Sequence, residues 1–162
     1  MSYNHGLPIR FRGVSHVITN PTGNDATLGQ ETYDSDGNKY VWVYNACNSQ
    51  IIPGLGVVIQ SSVSTAYSMT LTSVTSADQL LGVVKHATIP TGSYGWVLTR
   101  GIGKVKMMAT SGTVAARALL DIGADGFFYG VSNTTGNLSP AKCQAIEAIV
   151  SSAVGSAFIN LY

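Results

Sequence analysis

The spacing of hydrophobic and polar residues predicts short β-strands from residue 39 onward. Side chains alternate over 39–45, where the sequence reads KYVWVYN, and a two-residue period is typical of a strand. Similar apolar or alternating segments occur at 57–59, 69–74, 80–85, 94–99, 104–108, 127–131 and 157–162. Turn signals such as Asp36-Gly37, Pro53-Gly54 and Asp125-Gly126 separate them. We therefore expect a succession of strands joined by tight turns.

Two further segments carry specific expectations. The sequence RGIG at 100–103 places two glycines between apolar segments, which predicts a tight hairpin joining strands 94–99 and 104–108. The segment 140–150 fits either a helix that begins after Ser139 or a strand over 145–150. The strand is favoured, because it forms a closing hairpin with the last apolar segment.

Regularly spaced short strands predict an all-β fold, either a small β-barrel or β-tulip or a sandwich. Residues 1–36 differ, since they contain few large apolar residues and the turn-forming sequence NPTGND at 20–25. They are interpreted as an extended N-terminal arm with at most a short strand around 11–18. The expected organisation is an arm at 1–36 and a domain at 37–162.

Composition shifts the functional expectation toward an assembly component. Charged residues make up 10% of the chain, against about 25% in an ordinary soluble domain. The net charge is +1 with no basic stripe, so a nucleic-acid partner is not expected. Apolar runs are shorter than the ~20 residues of a membrane span, so no membrane partner is expected either. Cys47 and Cys143 could pair, although buried reduced thiols are the favoured interpretation.

Candidate catalytic and metal-binding motifs are incomplete. The sequence DSDGN at 34–38 resembles the start of a calcium loop, but Lys39 and Asn45 occupy the positions of the required Gly and Glu. The sequence GIGK at 101–104 lacks the spacing of a phosphate loop. His5, His16 and His86 are not spaced as metal ligands. We therefore expect no enzyme, no catalytic residues, no metal and no cofactor.

Aromatic residues at alternate positions have two interpretations. They could pack in a core or between subunits, or they could form a platform for stacking sugar rings. The candidate platform residues are Tyr40, Trp42, Tyr44, Tyr94 and Trp96.

Five segments of the chain together resemble the head decoration, or cement, proteins of tailed bacteriophages. They are LGVV at 81–84, IPTGSYGWV at 89–97, RGIGKV at 100–105, GTVAARALL at 112–120 and AIEAIV at 145–150. The resemblance covers roughly residues 39–162 and consists of strands and turns. One departure is Arg117, which stands where the family often has glycine.

The resemblance implies a structural virion protein on the outer capsid surface. Such a protein would bind the major capsid protein as a homotrimer and cement neighbouring capsid subunits, which would stabilise the head. Candidate contact residues lie in the arm, where apolar and basic side chains mix: Ile9, Arg10, Phe11 and Arg12. A plain first strand is the other interpretation of these four residues. The alternative function is a carbohydrate- or receptor-binding module on a phage head or tail fibre.

Overall fold

The computed structural model describes residues 13–19, 26–59, 68–71, 80–110, 112–131 and 143–161. These residues form eleven β-strands and one short 3-10 helix at Ala124–Gly126. The strands are β1 (Val17–Ile18), β2 (Glu31–Tyr33), β3 (Lys39–Asn45), β4 (Gly56–Ile59), β5 (Ser68–Thr70), β6 (Leu80–Val84), β7 (Tyr94–Lys106), β8 (Leu119–Ile122), β9 (Phe128–Val131), β10 (Cys143–Ala145) and β11 (Val154–Asn160). The predicted all-β class is confirmed.

The strands form one sheet with the order β2-β3-β5-β4-β6-β7-β11-β10-β8-β9, and β1 pairs with β7. All pairings except that of β3 with β5 are antiparallel between the named strands. The sheet as a whole is not closed into a barrel, since its end strands β2 and β9 do not pair with each other in the described residues. Within it, an additional pairing of β3 with β7 joins β3, β5, β4, β6 and β7 into a ring of paired strands.

Strand β7 is the longest element and connects the two parts of the sheet. Its first half pairs with β3 and β6, and its second half pairs with β11 over Arg100–Lys106. The hairpin predicted at 100–103 is therefore wrong. Gly101 and Gly103 lie inside a continuous strand, opposite Ile159 and Ala157 of β11. A partner strand that continues past the glycines keeps the chain extended where local sequence favours a turn.

Two hydrophobic clusters lie on opposite faces of β3 and β7. The small cluster contains Val41, Val43 and Val97, and the large cluster contains Trp42 and Leu98. Since successive strand residues point to opposite faces, both faces of this region are buried. The large cluster continues under β8–β11 through these side chains: Leu120, Phe128, Cys143, Ala145, Ala157 and Ile159. The thiols of Cys47 and Cys143 are both buried in different clusters and do not bond to each other.

Other boundaries differ from expectation in detail. The strand expected over 145–150 is wrong in position, because β10 ends at Ala145 and Ile149 makes only an isolated bridge to Val114. The expected closing hairpin does form, between β10 and β11. Within the proposed arm, the described residues contribute β1 and β2, and β2 pairs with β3. The division of the chain at residue 36 stays a prediction.

Candidate interaction surface

The second part of the sheet buries one face and exposes the other. One row of directly opposed residues crosses its five strands from β7 to β9: Ile102, Phe158, Gln144, Leu119 and Val131. Directly opposed residues share a face of a sheet. The side of the sheet that carries this row is called the outer face. Ile102 is 55% exposed, Phe158 is 42% exposed and Val131 is 39% exposed.

Neighbouring rows extend the outer face in both directions along the strands. On one side, Tyr33, Lys39, Arg100 and Asn160 oppose each other across β2, β3, β7 and β11. On the other side, Lys104 opposes Ser156, whose backbone carbonyl accepts a hydrogen bond from Ile146. Most of the exposed large hydrophobic side chains of the described residues lie on these rows or the next: Tyr33, Ile102, Val131, Ile146, Val154 and Phe158.

Strand β11 shows how local sequence produces this face. Its burial alternates from Val154 to Asn160, with Gly155, Ala157 and Ile159 buried. The small inward residues let β11 lie close to the large cluster, where Ile149 already occupies the space that a side chain at position 155 would need. Because Ala157 and Ile159 face inward, alternation along the strand places Phe158 on the opposite, exposed side. The strand therefore follows ordinary alternation except that one outward residue is a large aromatic.

Basic side chains flank the apolar centre of the outer face. Arg100 and Lys104 precede and follow Ile102 on the same side of β7, and both are exposed. Lys104 donates to Ser156 Oγ at 2.8 Å and lies 3.8 Å from Glu147 Oε1. Both partners of that ion pair are more than half exposed, so water and salt screen it. Basic charge therefore remains available on this face.

A polar junction joins the β2–β3 turn to the bend of β7. Asp34 Oδ1 accepts from the backbone N–H of Asp36 and Asn38, and its Oδ2 accepts from Asn38 Nδ2 and the Tyr40 hydroxyl. The sequence pattern that resembles a calcium loop is thus a turn whose carboxylate is satisfied by its own segment. Partial burial acts to raise the pKa of Asp34, but these hydrogen bonds outweigh it and lower the pKa to about 2.

Asn38 connects this turn to the point where β7 changes partners. The Asn38 side chain is buried, and its Oδ1 accepts from the backbone N–H of Ile102 at 3.1 Å. Gly101 makes this approach possible, because a Cβ at this position would stand 2.0 Å from Asn38 Oδ1. Its φ of 126° also favours glycine. Gly101, which the sequence predicted to lie in a turn, therefore leaves room for the Asn38 side chain to pack against β7.

Tyr40 and His86 complete the polar junction. The Tyr40 hydroxyl proton goes to the ionised Asp34, so His86 Nε2 donates to the Tyr40 oxygen at 2.9 Å. Burial, together with the nearby charge of Asp34, raises the pKa of Tyr40 well above its usual value. Burial and the positive charge of Lys85 lower the pKa of His86, while Asp34 opposes them. His86 and Asp34 thus meet through Tyr40, an arrangement that holds the turn in place.

The structure places the predicted platform aromatics mainly in the core. Trp42 is 1% exposed and Trp96 is 6% exposed, so neither indole presents a face to solvent. Tyr40 is fully buried, and Tyr44 and Tyr94 are partly buried. The aromatic rings pack on one another, with 4.9 Å between the Trp42 and Trp96 centroids. This is the packing interpretation of the alternating aromatics.

Other predicted site residues have different outcomes. Ile9, Arg10, Phe11 and Arg12 lie outside the described residues. His16 stacks on Trp42 with the ring planes 8° apart. In the part of the chain that the structure describes, His, Cys, Asp and Glu side chains form no group of three or more that could hold a metal ion.

Sequence reasoning missed the outer-face residues. The large aromatic Phe158 near the end of the chain was a possible signal of an exposed apolar residue. Because Ala157, Phe158 and Ile159 are all apolar, however, the sequence does not show which of them face the core. Only the pairing of β11 with β7 and β10 resolves that choice.

No protein-family model matches the sequence, and no curated protein matches it either. Among solved structures, the chain is similar to one described as "The crystal structure of head fiber gp8.5 N base in bacteriophage phi29". The match has 14% sequence identity and a TM-score of 0.49, and it covers 75% of this chain and 94% of the other. Of the described helices, none is both long and apolar enough to cross a membrane.

Proposed function

We propose that this chain is a structural virion protein of a tailed phage that binds the outer capsid surface. In this role it contacts the major capsid protein, acts as a homotrimer and cements adjacent capsid subunits. Three features support the proposal: the resemblance of residues 39–162 to cement proteins, the all-β fold and the charged content of 10%. A sparsely charged surface suits a protein that covers much of itself by assembly.

The observation that carries the proposal is the outer face. A sheet of a solitary soluble protein usually alternates apolar inward residues with polar outward residues. Here Ile102, Phe158 and Val131 break that rule along one row. Exposed apolar groups that cluster and are rimmed by polar groups mark interaction sites in soluble proteins. A structural attachment protein has a use for such a face, whereas a solitary protein does not.

Binding to heads tests the function directly. Purified heads that lack this protein, from the phage that encodes it, are mixed with the purified chain and sedimented. We expect the chain to sediment with the heads to a saturating, fixed stoichiometry and to raise the temperature at which the heads release DNA. The control is an unrelated neutral protein of similar mass. A chain that stays in the supernatant at all concentrations contradicts the proposal.

The mass of the chain in solution tests the proposed trimer separately. Analytical ultracentrifugation should give three times 17.0 kDa. A monomer that still binds heads contradicts the trimer and leaves the attachment function standing.

A further inference from the structure

We infer that the outer face is the surface through which this chain docks on an acidic protein surface with an apolar centre. This inference rests on the proposed attachment function and specifies the site and the chemistry of the partner. It assigns the contact to the sheet of residues 100–160, whereas the sequence favoured residues 9–12.

The apolar centre is continuous and belongs to ordered strands. Ile102 directly opposes Phe158, and Leu119 directly opposes Val131, with Gln144 between the two pairs. Cross-strand neighbours of this kind lie about 5 Å apart, so their side chains form one surface. Because the opposite side of the same strands packs on the large cluster, these residues cannot turn inward to escape water.

Charge at the rim specifies the partner further. Arg100 and Lys104 stand on either side of Ile102, at the edge of the apolar centre. Carboxylates on a partner would complement them, and Arg is suited to paired hydrogen bonds with a carboxylate. Charges at the rim of an interface act mainly on association rate and salt dependence, which provides a measurable signature.

A second copy of the chain fits this face less well than a foreign acidic surface. The carboxylates near the face are Glu31, Asp121 and Glu147, and each already has a partner within the chain. Glu31 Oε1 lies 2.7 Å from Lys39 Nζ. Asp121 Oδ1 accepts from the N–H of Ile122, and Glu147 Oε1 accepts from the N–H of Ser156. Two copies placed face to face would therefore contribute basic groups with few carboxylates left to receive them.

The size of the face indicates how it would be used. Five strands about 4.8 Å apart, with seven residues along β7 and β11, give a projected area of about 20 by 20 Å. That is about half of the ~800 Å² that each partner contributes to a standard stable interface. One copy alone would bind weakly, so occupancy would depend on several linked copies engaging a repeating surface.

The test compares three variants with the wild-type chain on the same heads. The first, Ile102→Ser with Phe158→Ser, removes the apolar centre, and the second, Arg100→Glu with Lys104→Glu, reverses the rim charge. The control, Thr91→Glu, adds a carboxylate at an exposed turn at the other end of β7. Thermal unfolding and circular dichroism first establish that each variant is folded. Affinity for heads is then measured at low and high salt, and the mass of each variant is measured in solution.

We expect the serine variant to lose affinity at least about tenfold at both salt concentrations. The affinity of the glutamate variant for heads should fall about tenfold at low salt. At high salt it should approach that of the wild type, because salt screens the electrostatic attraction. Thr91→Glu should stay within about twofold of the wild type.

Each contrary result has a separate meaning. If the wild type binds heads and both face variants bind equally well, the inference is wrong while the attachment function stands. If the wild type does not bind heads, both are wrong. If the face variants become monomers while the wild type is an oligomer, the face is a contact between copies and the inference of a foreign acidic partner is overturned.

Discussion

The two halves of β7 have the same secondary structure but opposite surroundings. Residues 95–99 are all buried, because β3 and β6 flank them and a hydrophobic cluster covers each face. From Arg100 to Lys106 the residues alternate, and the side toward solvent carries Ile102 between two basic residues. The first half therefore contributes to the core on both sides, whereas the second half divides its side chains between core and surface. The same extended backbone can thus serve stability in one half and recognition in the other.

The change occurs between Leu98 and Gly101, where the pairing with β3 skips Thr99 and Asn38 contacts β7. Arg100 is the last residue to pair with β3 and also pairs with Asn160 of β11. Asn38 bonds to the next part of the strand and is itself held by Asp34. The polar junction thus fixes where the buried half ends and the outer-face half begins.

Replacing the glycine at this boundary should have the largest effect on stability. In Gly101→Ala, the new Cβ would collide with Asn38 Oδ1, and alanine disfavours φ of 126°. We expect the free energy of unfolding to fall by about 4 kcal/mol, measured by urea denaturation. The control is Gly112→Ala, because Gly112 also has a positive φ (66°), but a Cβ added there would meet no atom within 4 Å. It should cost only about 1 kcal/mol. Equal losses for the two variants would show that Asn38 does not set the boundary.

Shortening a side chain should lower the free energy of unfolding much more in the first half of β7 than in the second half. Leu98→Ala empties a fully buried position in the large cluster, so we expect a loss of about 3 kcal/mol in unfolding free energy. Ile102→Ala removes an exposed side chain four residues later and should change stability by less than about 0.5 kcal/mol. Chemical denaturation of both variants measures the difference. Similar costs would mean that the halves do not differ as the burial pattern indicates.

Acid should weaken the polar junction through Asp34. Its pKa is about 2 in the folded chain and 3.8 as the ordinary value, so the folded state favours the ionised form. This contribution is present above about pH 4 and is lost as the pH falls toward 2, with a total of about 2 kcal/mol. Urea denaturation between pH 2 and 7 should show this loss in the wild type. In Asp34→Asn the same pH range should show a smaller loss, and an unchanged slope would contradict the assignment.

The smallest effect is expected at a turn beside the outer-face half. Arg117 has a φ of 66°, a conformation that glycine adopts without strain. Arg117→Gly should raise the free energy of unfolding by up to about 1 kcal/mol, measured by thermal or urea denaturation. Arg117→Ala is the control and should bring no gain, since alanine keeps the strain. A loss of stability in the glycine variant would show that the Arg117 side chain contributes more than its backbone strain costs.

The local pattern of apolar and polar residues predicted part of the fold, but it did not predict the outer face. The alternation over 39–45 correctly predicted β3, and the segments around it predicted an all-β chain. The same alternation could not say that both faces of β3 are buried, because that depends on clusters built from residues far along the chain. The aromatic residues that suggested a platform are core residues for this reason.

By itself, the sequence determined the strand-forming segments, most of the turns between them and the scarcity of charge, because these are set by neighbouring residues and by composition. Tertiary structure alone decided that 100–103 continues a strand, since pairing with β11, more than 50 residues away, supplies hydrogen bonds that outweigh the local preference for a turn. It also decided that Phe158 faces outward, because the pairing of β11 with β7 and β10 determines which side of the strand packs on the large cluster. Local preferences are small, and the partners that override them are distant in the sequence, so the outer face emerges only when the strands are assembled.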